Sequence, residues 1–197
     1  MLKTEHWKME RYQIILAYDG TDFFGSQRQA KSRRTVQGEL EEALRKMGWA
    51  ESSVLMAGRT DAGVHASGQV AAFDFDWKHS LDALRNALNA NLPADMAISQ
   101  VRVAPTKFHP RFDATARLYR YRLFYQRDRD PLRERYAWRV YPEVEGEILH
   151  SLAAMLPGKF DFAAFGSPPR PGGSTERHLM RASWKKQEDE WIFEVQA

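Results

Sequence analysis

An α+β fold built on antiparallel sheet is what this sequence predicts, and three observations predict it. Residues 12–19, 69–75 and 96–103 alternate with the period of two that marks a strand. Between them lie two stretches with apolar residues at helical spacing behind good N-caps. After residue 115 the same mixture of alternating and helical segments begins again.

Taken in order, residues 12–19 place Ile14, Leu16 and Tyr18 on one face and Ile15 and Ala17 on the other, a strand buried on both sides or nearly so. Residues 20–34 form a long polar loop whose end carries Lys31, Arg33 and Arg34, and loops of this length tend to be functional. Thr35 caps a helix that presents Val36, Leu40, Leu44 and Met47 on one stripe and stops at Gly48. A short strand over residues 53–56 leads into residues 57–66, and the strand over 69–75 leaves it. Ser80 caps a second helix with Leu81, Leu84 and Leu88 on its stripe, ended by residues 89–93. With the strand over 96–103 the order is βαββαβ, the ferredoxin-like unit, in which two helices cover one face of an antiparallel sheet.

In the second half, residues 116–125 put Arg117, Tyr119, Tyr121, Leu123 and Tyr125 on one face and Leu118, Arg120, Arg122 and Phe124 on the other. A charged turn over 127–135 and a short extended piece over 137–140 follow. A helix over 145–156 is expected to turn Ile148, Leu149, Leu152 and Met155 inward, and residues 167–174, rich in Pro and Gly, to be loop. Residues 179–187 and 191–195 read as a hairpin. The expected organisation is thus two ferredoxin-like halves, 1–105 and 106–197, forming an extended antiparallel sheet with helices on one face. The second half reads as a copy shortened at its C-terminus, so that Trp191 or its neighbours Ile192, Phe193 and Val195 are expected to present an apolar patch.

Composition narrows the function. With 43% hydrophobic and 28% charged residues in 197, the chain can bury a real core. No apolar run approaches the roughly 18–20 residues that span a bilayer. The absence of cysteine excludes disulfides, thiolate nucleophiles and cysteine-ligated zinc, and fits a cytoplasmic protein. Net charge is only +3, yet residues 107–139 hold ten Lys or Arg against four Asp or Glu, an asymmetry that points to a polyanion. Gln27, Arg28, Gln29, Arg33 and Arg34 in the first polar loop, His109 and Arg111 in the second, and Arg120 on the strand after it are candidate contacts to the phosphates of such a polyanion. Phe112, beside them, reads as core.

Residues 57–66 read Ala-Gly-Arg-Thr-Asp-Ala-Gly-Val-His-Ala, with one carboxylate between two glycines. Gly58-Arg59-Thr60-Asp61-Ala62-Gly63-Val64-His65-Ala66 resembles the signature of the TruA family of tRNA pseudouridine synthases. So, in the same order, do Tyr18-Asp19-Gly20-Thr21, Gly25-Ser26-Gln27-Arg28-Gln29, Thr35-Val36-Gln37, Leu88-Asn89, Leu92-Pro93, Phe108-His109, Arg111-Phe112, Ala114-Thr115-Ala116-Arg117 and Tyr119-Arg120-Tyr121. The resemblance implies isomerisation of uridine in the tRNA anticodon stem-loop by a homodimer that needs no metal or organic cofactor. It makes Asp61 the catalytic carboxylate and Tyr119 the ring that stacks on the flipped uracil. Arg59 would help occupy the vacated stack and order Asp61. Read from the residues alone, Asp61 and His65 four apart would make half of a metal site on a helix, but Gly63 and the loop setting argue against a helix there, and His65 reads as a structural hydrogen-bonding residue. Ser26 stands where the family usually has tryptophan. The family's later arginine, which pairs with the catalytic aspartate, is expected beyond Ala197, so the alternative reading is a catalytically impaired RNA-binding fragment.

Overall fold

A computed structural model describes residues 9–29, 33–165 and 173–197 of the chain. The polar end over residues 1–8, Lys31 of the basic cluster and residues 167–172 of the expected Pro/Gly loop lie outside the described residues. Two compact units divide the chain, Met1–Ala114 and Thr115–Ala197. Each is a mixture of antiparallel sheet with few helices.

The first unit runs β1 (Glu10–Tyr18), α1 (Val36–Lys46), β2 (Leu55–Met56), β3 (Ala66–Phe75), α2 (Leu81–Asn91) and β4 (Met96–Ala104). Its sheet has the order β2-β3-β1-β4, with every neighbouring pair antiparallel. The central strand β1 carries the core: Tyr12, Ile14, Leu16 and Tyr18 are buried with Phe73, Phe75, Met96 and Ile98. On the opposite face Gln13 is also buried, its carbonyl taking two hydrogen bonds from Arg102.

Both helices start where their caps predict. The Thr35 hydroxyl accepts from the Gly38 amide and the Ser80 hydroxyl from the Ala83 amide, each satisfying an orphan donor of the first turn. From α1, Val36, Leu40 and Leu44 are fully buried; from α2, Leu84 and Leu88 are, while Leu81 stays 38% exposed. Asn89 then fastens α2 to the sheet, accepting from the Ile98 amide at 2.7 Å and donating to the Ile98 carbonyl at 2.9 Å. Strand β3 begins at Ala66, not at residue 69. Ala66, Ser67 and Gly68 show no alternation to read, but backbone pairing opposite Tyr18, across a register shift between Leu16 and Tyr18, extends the ladder.

The second unit runs β5 (Leu118–Tyr125), β6 (Trp138–Val140), α3 (Gly146–Ala154), β7 (Gly158–Asp161), β8 (Glu176–Leu179), β9 (Arg181–Gln187) and β10 (Glu190–Gln196). Four strands form a sheet of order β6-β5-β10-β9, and β7 pairs with β8 in a second, two-stranded sheet. Strand β6 lies parallel to β5, the one parallel pair among the described residues.

Three expectations for this unit are corrected. The stretch 179–187 is not one strand: it is divided at Met180, because Glu176–Leu179 pairs with Gly158–Asp161 and only Arg181–Gln187 joins the hairpin. The stripe of α3 turns inward only in part, since Ile148, Leu152 and Met155 are 47, 56 and 71% exposed, Leu149 is half-buried and Ala153 is the buried residue. Nor does Trp191 lie bare at 7% exposure, and Ile192, Phe193 and Val195 are half-buried: Gly146 of α3 sits on the Trp191 ring so closely that an added Cβ would stand 2.6 Å from a ring carbon. A small residue lets the helix backbone reach the indole, and Ile148 and Leu152 lie on the exposed side of the helix.

Candidate active site

The motif lies between β2 and β3, and its geometry follows from two close approaches of the loop after β1. At Gly20 an added Cβ would meet the Val64 carbonyl oxygen at 2.1 Å, so any side chain there would push the motif away. At Gly25 the backbone has φ +93°, a left-handed conformation that favours glycine, and an added Cβ would lie 2.9 Å from the Thr60 oxygen. Between these contacts the motif backbone is pinned by hydrogen bonds. The Ser26 amide donates to the Thr60 carbonyl at 2.9 Å, and the Ser26 hydroxyl accepts from the Thr60 amide at 2.8 Å. The Tyr18 and Thr60 hydroxyls are 2.8 Å apart, and Gln69 donates to the Gly58 carbonyl at 2.8 Å. Burial pushes the Tyr18 phenol up, against the opposing pull of its bonds to Thr60 and Gln69.

Asp61 follows directly. Its backbone carbonyl accepts from the Val64 amide, but its exposed carboxylate has no hydrogen-bond or ion-pair partner among the described residues. Arg59 is exposed and does not pair with it either, so the expected ordering of Asp61 by Arg59 is absent from this structure. The two side chains are separated by Thr60, whose hydroxyl and backbone are all turned to Tyr18 and Ser26. His65 Nδ1 stands 3.0 Å from both the Gly20 amide nitrogen and Asp19 Oδ1. That ring ties the two loops together, the structural role its position suggested.

The expected RNA contacts separate into two groups. Arg28 bonds to Glu41, a fully buried carboxylate, and to the Ser52 carbonyl. Gln29 donates to the Phe24 carbonyl. Arg34 makes a bidentate pair with Asp95 at 2.7 and 2.8 Å, a third bond to Glu39, and lies 4.2 Å over the Phe23 ring. Arg120 bonds twice to Glu194 on the neighbouring strand. These four are held within the fold. Gln27 and Arg33 are exposed, with the Arg33 guanidinium 5.1 Å over the Phe24 ring. His109 caps a tight turn, where its amide donates to Asp113 and its Nδ1 accepts from the Arg111 amide. Phe112 is not core: it is 75% exposed and lies tilted against His109 with ring centroids 4.3 Å apart. The bonds of this turn force the ring outward, a local effect that hydrophobicity alone does not signal.

In the second unit Tyr119 is half-exposed on β5, paired with Val195 on β10. Tyr121, Phe193 and Trp184 continue the same sheet face, with centroids 6.3 Å apart for Tyr121 and Phe193 and 5.0 Å for Trp184 and Phe193. The buried Gln37 and Glu41 were missed as organisers of the site. Gln37 accepts from the Arg28 amide and donates to Glu41 and to the Val54 carbonyl, while Glu41 accepts from the Val54 amide. Their signal was a polar pair at i, i+4 on the apolar face of α1.

The Asp61 carboxylate is thus exposed, on a loop held through its backbone between two antiparallel strands. Comparison with known proteins places the chain in a family. Residues 14–113 match the family model described as tRNA pseudouridine synthase. The tRNA pseudouridine synthase A of Geobacter sp. (strain M21) is 42% identical over 171 residues, 87% of this chain and 69% of that protein. Those of Thermosipho africanus and Thermotoga maritima are 42 and 37% identical over 178 residues, 90% of this chain and 70% of each relative. The chain belongs to the tRNA pseudouridine synthase family.

Proposed function

We propose that this tRNA pseudouridine synthase isomerises uridines of the tRNA anticodon arm, with Asp61 as the catalytic carboxylate. The observation that carries the reading is the Asp61 carboxylate itself, exposed and unpartnered on a loop whose backbone is held on both sides. The reaction breaks the C–N glycosidic bond, turns the uracil and rejoins it through carbon, with no net redox change. A carboxylate suffices for it. The target base leaves its stack at a cost of a few kcal/mol, which stacking on an aromatic ring offsets, and the half-exposed Tyr119 is the ring we assign to it. Arg59, exposed two residues before Asp61, is assigned to the space the base vacates.

Gln27, Arg28, Gln29, Arg33, Arg34, His109, Arg111 and Arg120 are proposed to meet the tRNA backbone, Arg28, Gln29, Arg34 and Arg120 by exchanging their present partners for phosphate. The proposed enzyme is a homodimer of cytoplasmic location, with 1–105 a ferredoxin-like unit and 106–197 a half that repeats part of that unit. Supporting that reading, β1-α1-β2-β3 and β5-α3-β9-β10 place their strands in the corresponding orders β2-β3-β1 and β9-β10-β5.

The test is Asp61→Asn, nearly isosteric and uncharged, assayed by carbodiimide labelling of pseudouridine in an unmodified tRNA transcript. Labelling should fall to background with tRNA affinity within about threefold, since the exposed carboxylate makes no contact that folds the loop. Undiminished labelling would sink the assignment. A second reading, RNA binding without turnover, is favoured by the lack of a cation on Asp61 among the described residues; it predicts background labelling by the unaltered chain despite tight tRNA binding.

A further inference from the structure

From the bonds around Thr60 we infer that Ser26 is a positioning residue for the reaction: its hydroxyl fixes the peptide that carries Asp61. The inference rests on Asp61 being the catalytic carboxylate.

Ser26 is 1% exposed and stands between two elements. On one side its carbonyl accepts from the Gln37 amide at 2.9 Å, and the neighbouring Gly25 carbonyl faces the Val36 amide at 3.4 Å. These are orphan donors at the N-terminus of α1, so the Gly25–Ser26 segment is anchored on the end of a rigid helix. On the other side the Ser26 amide and hydroxyl take both backbone groups of Thr60. Tyr18, buried in the sheet, holds the Thr60 hydroxyl. Thr60 is thereby tied at its N–H, its C=O and its side chain to β1 and to the start of α1. The next residue is Asp61, whose carboxylate has no side-chain partner to orient it.

Position of the reacting oxygen is therefore set through the backbone, and the Ser26 hydroxyl is the bond in that chain a single substitution can remove. Ser26→Ala keeps the Ser26 amide and carbonyl bonds and deletes only the acceptor for the Thr60 N–H. Displacements of about 1 Å at a reacting group cost up to ~100-fold in rate. Binding of tRNA, spread over many phosphate contacts, does not pass through this bond.

The experiment compares the full chain with Ser26→Ala and Tyr18→Phe, in steady-state pseudouridylation of a tRNA transcript and in amide exchange of ¹⁵N-labelled protein without RNA. For Ser26→Ala the expected result is kcat lowered about 10- to 100-fold with KM within about twofold, and the Thr60 amide exchanging about tenfold faster. Tyr18→Phe, which removes one oxygen from a retained ring, should lower kcat in the same sense with KM unchanged. Unchanged Thr60 exchange in Ser26→Ala overturns the inference, as does faster exchange with kcat intact. A loss of activity that follows weakened tRNA binding or a lowered unfolding midpoint overturns it too, because a merely structural role would behave so. Asp61→Asn is run beside them. Activity in that variant would remove the reading of Asp61 itself, and the exchange rate at Thr60, read without turnover, keeps that failure separate from a failure of the Ser26 contact.

Discussion

The side chains that look most ready to bind RNA are in several cases the ones that hold the fold. Arg28 reaches Glu41, which is fully buried and also serves Gln37, Arg45 and the Val54 amide. Replacing Glu41 by Gln sets an amide NH₂ against groups that are themselves donors. Because the Arg28 and Arg45 heads are about half exposed, water recovers part of the loss. Glu41→Gln should then cost about 1–3 kcal/mol in urea unfolding, more than an exposed pair is worth. Arg34 makes the second case, since its guanidinium holds the Asp95 carboxyl below its ordinary range. A carboxyl depressed in the folded state stabilises at pH above its unfolded value and loses that contribution as pH falls through the folded one. Arg34→Met should therefore lower stability by about 1 kcal/mol at neutral pH. The gap to the unaltered chain should close as pH drops below about 4, which urea titrations at pH 7, 5 and 3 will show.

At the scale of elements, α3 separates pattern from environment. Its apolar residues recur at helical spacing, yet the contact with the sheet is made by the small ones, Gly146 over Trp191 and the buried Ala153. His150 adds an edge contact to the same indole, with centroids 5.6 Å apart. Gly146→Ala should be destabilising by about 1–3 kcal/mol through overpacking, because the ring it meets is itself enclosed. Leu152→Glu, on the exposed side, should stay within about 0.5 kcal/mol. Thermal unfolding of the two variants compares them directly, and the reverse order would show that Leu152 packs inward after all. In the first unit pattern and environment agree: Leu84 and Leu88 are buried, and the exposed Leu81 is the first residue of its helix.

Across the sequence, about half of the basic excess over residues 107–139 is answered by acids from elsewhere in the chain. Arg122 pairs with Glu190, Arg133 with Asp189 and Glu190, and Arg120 with Glu194, all across to the β9–β10 hairpin or its turn. Within the window, bonds from Arg129, from the Asp130 amide and from Arg139 hold the Glu134 carboxyl down at about 2. Arg127 is exposed with no ion pair among the described residues. Binding to tRNA should weaken with salt at a log–log slope of about −0.7 to −0.9 per phosphate contact. Arg127→Ala should make that slope shallower by about one contact, whereas Arg122→Ala should change it less, since Arg122 already has a counter-charge. Filter binding over a range of salt measures both, and equal effects would mean that the cross-strand pairs open on RNA.

Order and kind of the first six elements were legible in the chain, because capping, helical spacing and strand alternation are local and Thr35, Ser80, Leu40 and Ile14 express them without help. The family was legible too, since the motif around Asp61 is one continuous string. Contacts distant in sequence needed the tertiary structure. Only the fold brings Glu190 and Glu194 beside arginines about seventy residues earlier, turns Phe112 outward, sets Gly146 on Trp191, or carries Ser26 to Thr60. Charge compensation, packing direction and the clamp beneath Asp61 depend on which surfaces meet in space, and residue spacing along one segment carries no record of what the other segment offers.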